Sequence, residues 1–192
     1  MPRAFALALS LLVGLAACRS TTAPPKPDRA AVAATANADA IDADGSQGYA
    51  SGASDAFRAS LYLVGDPGRF VAAIRSANQA VQLPVVSRAA RGQEIVAFIS
   101  TQECAAGDDG LCDVVVDFEL RDSSGELKAK QTDVGLWRDP PEPVPGTVLF
   151  GEAALTMTIA ADARTGIWKL TARVTDRAAS DTVTLRATLQ VE

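Results

Sequence analysis

Gly166-Ile-Trp-Lys-Leu-Thr-Ala-Arg-Val-Thr-Asp176, followed after a short turn by Thr182-Val-Thr-Leu-Arg-Ala-Thr-Leu-Gln-Val191, decides the fold. In the first run Trp168, Leu170, Ala172 and Val174 alternate with Ile167, Lys169, Thr171 and Arg173. In the second, Val183, Leu185, Ala187, Leu189 and Val191 alternate with Thr182, Thr184, Arg186, Thr188 and Gln190. Successive side chains of a strand point to opposite faces, so a strict period of two predicts strands with one buried and one wet face. Ala178–Asp181 supplies the turn between them.

Upstream the same period recurs. Phe57, Ala59, Leu61 and Leu63 alternate with Arg58, Ser60 and Tyr62, which predicts a first strand with Tyr62 on its outer face. Further strands are expected at Leu83–Val86, Glu94–Thr101, Val114–Leu120, Leu127–Leu136, Val148–Phe150 and Leu155–Ala160. Turn signals at Ser123-Ser124-Gly125 and Asp162–Gly166 separate them at the spacing of an all-β sandwich. One segment breaks the pattern. Asp66-Pro67 offers an N-cap and a first-turn proline, and Phe70, Ala73, Ile74 and Ala77 then fall at helical spacing, with Asn78 as the stop. The expected fold is an all-β antiparallel sandwich with one short helix inserted after the first strand.

The stretch Asp162-Ala-Arg-Thr-Gly166-Ile-Trp168 through Asp176 resembles the Gly-x-aromatic strand near the end of bacterial immunoglobulin-like domains. There a tight turn feeds the penultimate strand and an Asp closes it. Trp168 stands where such domains often carry a tyrosine that ties back to upstream backbone. The resemblance implies an immunoglobulin-like β-sandwich over residues 56–192, similar to signal-bearing proteobacterial envelope proteins. It implies a fold rather than a chemistry.

Residues 18–55 differ sharply in composition, being rich in Ala, Ser, Thr, Pro, Asp and Gly with almost no large apolar side chain. Such a segment buries too little surface to offset chain entropy and reads as a disordered tether. About 37 flexible residues reach roughly 35 Å. Asp42-Ala-Asp44-Gly45 within it lacks the further ligands of a calcium loop.

Residues 1–17 have the layout of a secretory signal: Arg3, then the apolar run Ala4–Val13, then small residues. The run is shorter than the roughly 20 apolar residues of a membrane span. Leu15-Ala16-Ala17-Cys18 resembles the lipobox of bacterial lipoproteins, which implies cleavage before Cys18 and a lipid on its thiol. Each buried methylene contributes about 0.8 kcal/mol, so two or more acyl chains anchor stably. In the sorting scheme of that family Arg19, where an Asp would retain the protein at the inner membrane, points to the outer membrane. The expected location is therefore the outer membrane, with the domain facing the periplasm; soluble periplasm is the alternative.

With Cys18 assigned to lipid, Cys104 and Cys112 remain, flanking a polar Gly-rich loop. An oxidising compartment makes a disulfide their natural fate. A zinc site wants four Cys or His ligands and the chain has no histidine, so neither metal nor cofactor is expected. The missing histidine also removes Ser-His-Asp and Cys-His catalysis. The paired acids Asp108-Asp109 and Asp139/Glu142 read as solvated loop charges, with Asp108, Asp109 and Asp113 a weaker candidate for a hard cation. No enzyme is expected. A net charge of −5 argues against nucleic acid, which wants a basic patch.

Trp137-Arg-Asp-Pro140-Pro141-Glu-Pro143-Val-Pro145-Gly146 is the candidate interaction surface. Its backbone should be extended and stiff, which lowers the entropy cost of recognition. The competing role is a connection between sheets in which Trp137 caps the core. The functional expectation is a lipid-anchored, non-catalytic module that binds another envelope protein. The alternatives are a small-ligand or glycan-binding domain, or a structural component of an envelope machine. A groove lined by aromatics favours a ligand, and a flat apolar patch favours a protein partner.

Overall fold

A computed structural model describes residues 34–35, 47–76 and 81–192. Residues 1–17, Cys18, the Asp42–Gly45 motif and Asn78 lie outside the described residues. In chain order the elements are β1 (Ala34–Thr35), β2 (Tyr49–Ser54), β3 (Phe57–Val64), α1 (Pro67–Arg75), β4 (Val81–Gln82) and β5 (Arg88–Ala89). They continue with β6 (Glu94–Gln102), β7 (Val114–Arg121), β8 (Leu127–Gly135), β9 (Leu149–Thr158), β10 (Gly166–Asp176) and β11 (Asp181–Val191).

Two sheets form the sandwich. One has the order β5-β11-β10-β7-β8 and the other β2-β3-β6-β9, while β1 and β4 make a small separate pair. The long pairings are all antiparallel. The two-residue pairings β5–β11 and β1–β4 are parallel, a departure from the purely antiparallel expectation at the margins of the fold. The β10–β11 hairpin holds its register from Gly166↔Val191 to Asp176↔Asp181. Trp168, Leu170, Ala172 and Val174 are buried there against Leu185, Ala187, Leu189 and Val191, as the alternation requires. From the other sheet come Phe57, Ala59, Leu61, Leu63, Ile95, Ala97 and Ile99, which complete the main core.

The Trp168 indole donates to the Arg164 carbonyl at 2.9 Å. It thus ties the start of β10 to the backbone of the turn that precedes it. Ser123 reinforces the same corner by donating to the Thr165 carbonyl.

Three elements differ from the sequence reading. Residues 49–54, assigned to the tether that ends at 55, form β2, so the domain starts earlier than residue 56. Small residues suit this strand because it passes close to β11: a Cβ on Gly52 would lie 2.8 Å from Cγ1 of Val183. Val148–Phe150 and Leu155–Ala160 are one strand, β9. Gly151 looks like a break but is required, since its missing Cβ leaves room for the Leu136 side chain. Leu83–Val86 falls between the short strands β4 and β5 rather than forming one.

Helix α1 starts where its signals place it. The Asp66 carboxylate accepts from the Arg69 amide at 2.9 Å, and Pro67 opens the first turn. Ser76 ends it by bonding the Ala72 carbonyl. The helix lies over the outer face of the four-stranded sheet, where Phe70 is fully buried.

Candidate functional site

Under α1 sits a second, smaller core made of Tyr62, Val64, Phe70 and Leu83, with Tyr49, Ile74, Phe98 and Phe150 packed against it. The rings form a connected cluster. Phe70 stacks on Phe98 at 4.8 Å, and Tyr62 lies 5.2 Å from Tyr49, 5.6 Å from Phe70 and 5.8 Å from Phe150. Aromatic pairs at such distances are worth about 0.5–1.5 kcal/mol beyond their burial. Tyr62 does face away from the main core, but the helix covers it and it is buried rather than available for stacking. Burial raises its phenol above the ordinary tyrosine pKa, partly opposed by the hydrogen bond with Ser100.

The helix covers only part of that face. Next to it the pairing of β2, β3 and β6 places outward side chains in three rows: Tyr49–Tyr62–Phe98, then Ser51–Ser60–Ser100, then Ala53–Arg58–Gln102. Directly opposed side chains lie about 5 Å apart, so each row is a continuous surface. The middle row is the floor of a groove of about 360 Å³, walled by Tyr49 and Tyr62 on one side and by Arg58 and Gln102 on the other, with Val148 also in its lining. Two hydroxyl contacts tie the wall to the floor, Tyr49 with Ser60 at 3.4 Å and Tyr62 with Ser100 at 3.3 Å. Ser100 and Tyr62 are buried, whereas Ser51 and Arg58 are exposed and Tyr49, Ser60 and Gln102 are half-buried. The groove can therefore offer hydroxyl donors and acceptors, one aromatic edge and one cation. Tyr49, Arg58, Ser60, Ser100 and Gln102 were not among the site residues expected from sequence. Their signal was the polar half of the alternation, which within any one strand reads as an ordinary solvated face.

The expected interaction surface is held differently. Cys104 and Cys112 are joined in a disulfide, with Cα atoms 5.7 Å apart, and both are buried in the main core. A loop this short contributes about 2.5 kcal/mol in the chain-entropy account. The proline segment docks on that loop: the Cys112 amide donates to the Pro141 carbonyl at 2.9 Å, and the Gly146 amide to Glu103 at 2.7 Å. Pro140, Val144 and Pro145 remain exposed; Pro141 and Pro143 are half-buried. Trp137 is half-buried against the main core, and its indole donates to the Phe150 carbonyl at 2.8 Å. It braces the segment against β9.

Of the remaining loop carboxylates, Asp109 and Asp113 have local partners. Asp109 accepts from the Leu111 amide, and Asp113 faces Arg177 at 3.7 Å. With Asp108 they do not converge: among the described residues no group of three His, Cys, Asp or Glu is placed to hold a metal ion. Asp139 and Glu142 are exposed. In the β7–β8 turn, Asp122 accepts from the Ser124 hydroxyl at 2.6 Å and from the Ser124 and Glu126 amides. The Ser124 hydroxyl bond above all holds its carboxyl down to about 2. Lys128, bonded to Glu126 and lying 3.4 Å from Asp122, is raised above the ordinary lysine pKa.

No protein-family model matches this chain, and no curated protein matches it. Among solved structures it is similar to a family 123 glycoside hydrolase from Clostridium perfringens, at 10% identity and a TM-score of 0.39, over 69% of this chain and 27% of that one. The chain thus spans about a quarter of the hydrolase's length. It is also similar to a Niemann-Pick type C2 protein from the Japanese carpenter ant, at 8% identity and a TM-score of 0.34, over 56% of this chain and 80% of that one. These likenesses concern the β-sandwich fold alone.

Proposed function

We propose that this protein is a non-catalytic binding module of the cell envelope, held by lipid on Cys18 and recognising a small polyhydroxylated ligand or glycan in the groove on the β2-β3-β6 face. The observation that carries the reading is the serine row between an aromatic wall and an Arg58–Gln102 wall. A concave site with a few convergent polar groups is the usual form of a small-ligand site. Large exposed apolar side chains among the described residues are scattered at Leu127, Val144 and Ile167 rather than gathered in a patch, which weighs against a broad apolar protein interface.

The test is saccharide binding by the full chain on an immobilised glycan panel, alongside Ser60→Trp, which fills the groove from its middle row. Retention of binding by that variant with its fold intact would sink the reading. Binding of another envelope protein through the proline segment stands as a second reading. It is favoured by a segment held at Pro141 and Gly146 that leaves Pro140, Val144 and Pro145 exposed and would lose little entropy on docking.

A further inference from the structure

The charge lining the groove is one-sided. The chain carries 23 acidic and 18 basic side chains, yet the groove lining holds Arg58 and no carboxylate. Arg58 lies on the open wall beside Gln102 and across from Ala53, and no ion pair among the described residues engages it. Glu103, the acid that follows Gln102 at the end of β6, is turned to the Gly146 amide. A guanidinium left uncompensated beside three serines and a tyrosine edge is complementary to an anion that also carries hydroxyls. Arginine binds a carboxylate through two parallel N–H donors, which fixes orientation as well as charge.

We propose that the groove binds a carboxylated saccharide, with its ring against Tyr49 and the Ser51–Ser60 row and its carboxylate on Arg58. This rests on the groove being the binding site. The serines supply exchangeable donors and acceptors for ring hydroxyls, and the phenol ring of Tyr49 meets the apolar C–H face. Specificity then follows from the floor and affinity for the acid from the wall.

The experiment titrates the full chain with sodium glucuronate, glucose and sodium acetate at low ionic strength, since an exposed cation is screened by salt. Glucuronate should bind at least about tenfold more tightly than glucose, the increment expected of one charge-assisted pair that is partly exposed. Arg58→Gln should abolish the preference, so that the variant binds glucuronate no more tightly than it binds glucose, and should leave the melting temperature unchanged. Equal affinity of the wild-type chain for glucuronate and glucose would overturn the acidic-sugar inference while the groove reading survives. Acetate binding as tightly as glucuronate would overturn the saccharide part. No binding of either sugar would contradict both.

Discussion

The buried carboxylate of Asp176, at the end of β10, accepts a hydrogen bond from the Ala105 amide at 2.7 Å, joining the last hairpin to the start of the disulfide loop. Its other oxygen accepts from the Ala178 and Ala179 amides and so closes the β10–β11 turn. Arg177, the next residue, donates its amide to the Asp113 carbonyl and pairs its guanidinium with Asp133 on β8. One end of the sandwich is thereby tied across three connections. The proline segment hangs from the same loop through Cys112 and Glu103.

Asp176→Ala should therefore destabilise the domain by about 3 kcal/mol, because three backbone amides lose the buried carboxylate that accepts from them. Urea unfolding measures the loss, and faster hydrogen exchange at Ala105 locates it. A change within about 0.5 kcal/mol, the range of ordinary surface substitutions, would show that this carboxylate does not brace the end.

Trp137→Ala distinguishes a brace from a surface anchor. The half-buried ring and the indole bond to Phe150 lead us to expect a loss of about 2–3 kcal/mol, less than the 3–5 of a fully buried aromatic. A pure surface anchor would cost no more than about 0.5 kcal/mol. That smaller result would return Trp137 to the recognition surface and strengthen the protein-binding reading.

Asp122 gives the acid limb of stability. Its folded pKa of about 2 lies below the ordinary carboxylate value, so the unfolded chain takes up the proton first. The contribution is complete above about pH 4 and is lost as pH falls toward 2. Asp122→Asn should lower the melting temperature at neutral pH and flatten its decline between about pH 4 and pH 2. Parallel pH profiles for variant and wild type would contradict the assignment of this limb to Asp122.

Where one strand carries its own evidence, the sequence was readable. The alternation in β10 and β11 gave both faces correctly, and Asp66-Pro67 gave the start of α1. The Cys104–Cys112 pair was readable because both partners sit at the ends of one short loop. What was not readable depends on a distant neighbour. β2 is built from small residues because β11 passes close by, and in isolation Tyr-Ala-Ser-Gly-Ala-Ser reads as tether. Tyr62 takes the face its period assigns, but the cover supplied by Phe70 comes from a separate element. The groove residues are legible only as polar positions of three strands. Their assembly into rows is a matter of register, which no single strand encodes.

Amide chemical-shift mapping of the full chain during titration with glucose and with glucuronate tests the central claim, that the β2-β3-β6 groove is the recognition surface. The account predicts that the shifts cluster at Ser51, Arg58, Ser60, Ser100 and Gln102, with the amides of residues 142, 144 and 146 undisturbed. Shifts confined to the proline segment and the disulfide loop, or none at millimolar sugar, would contradict it.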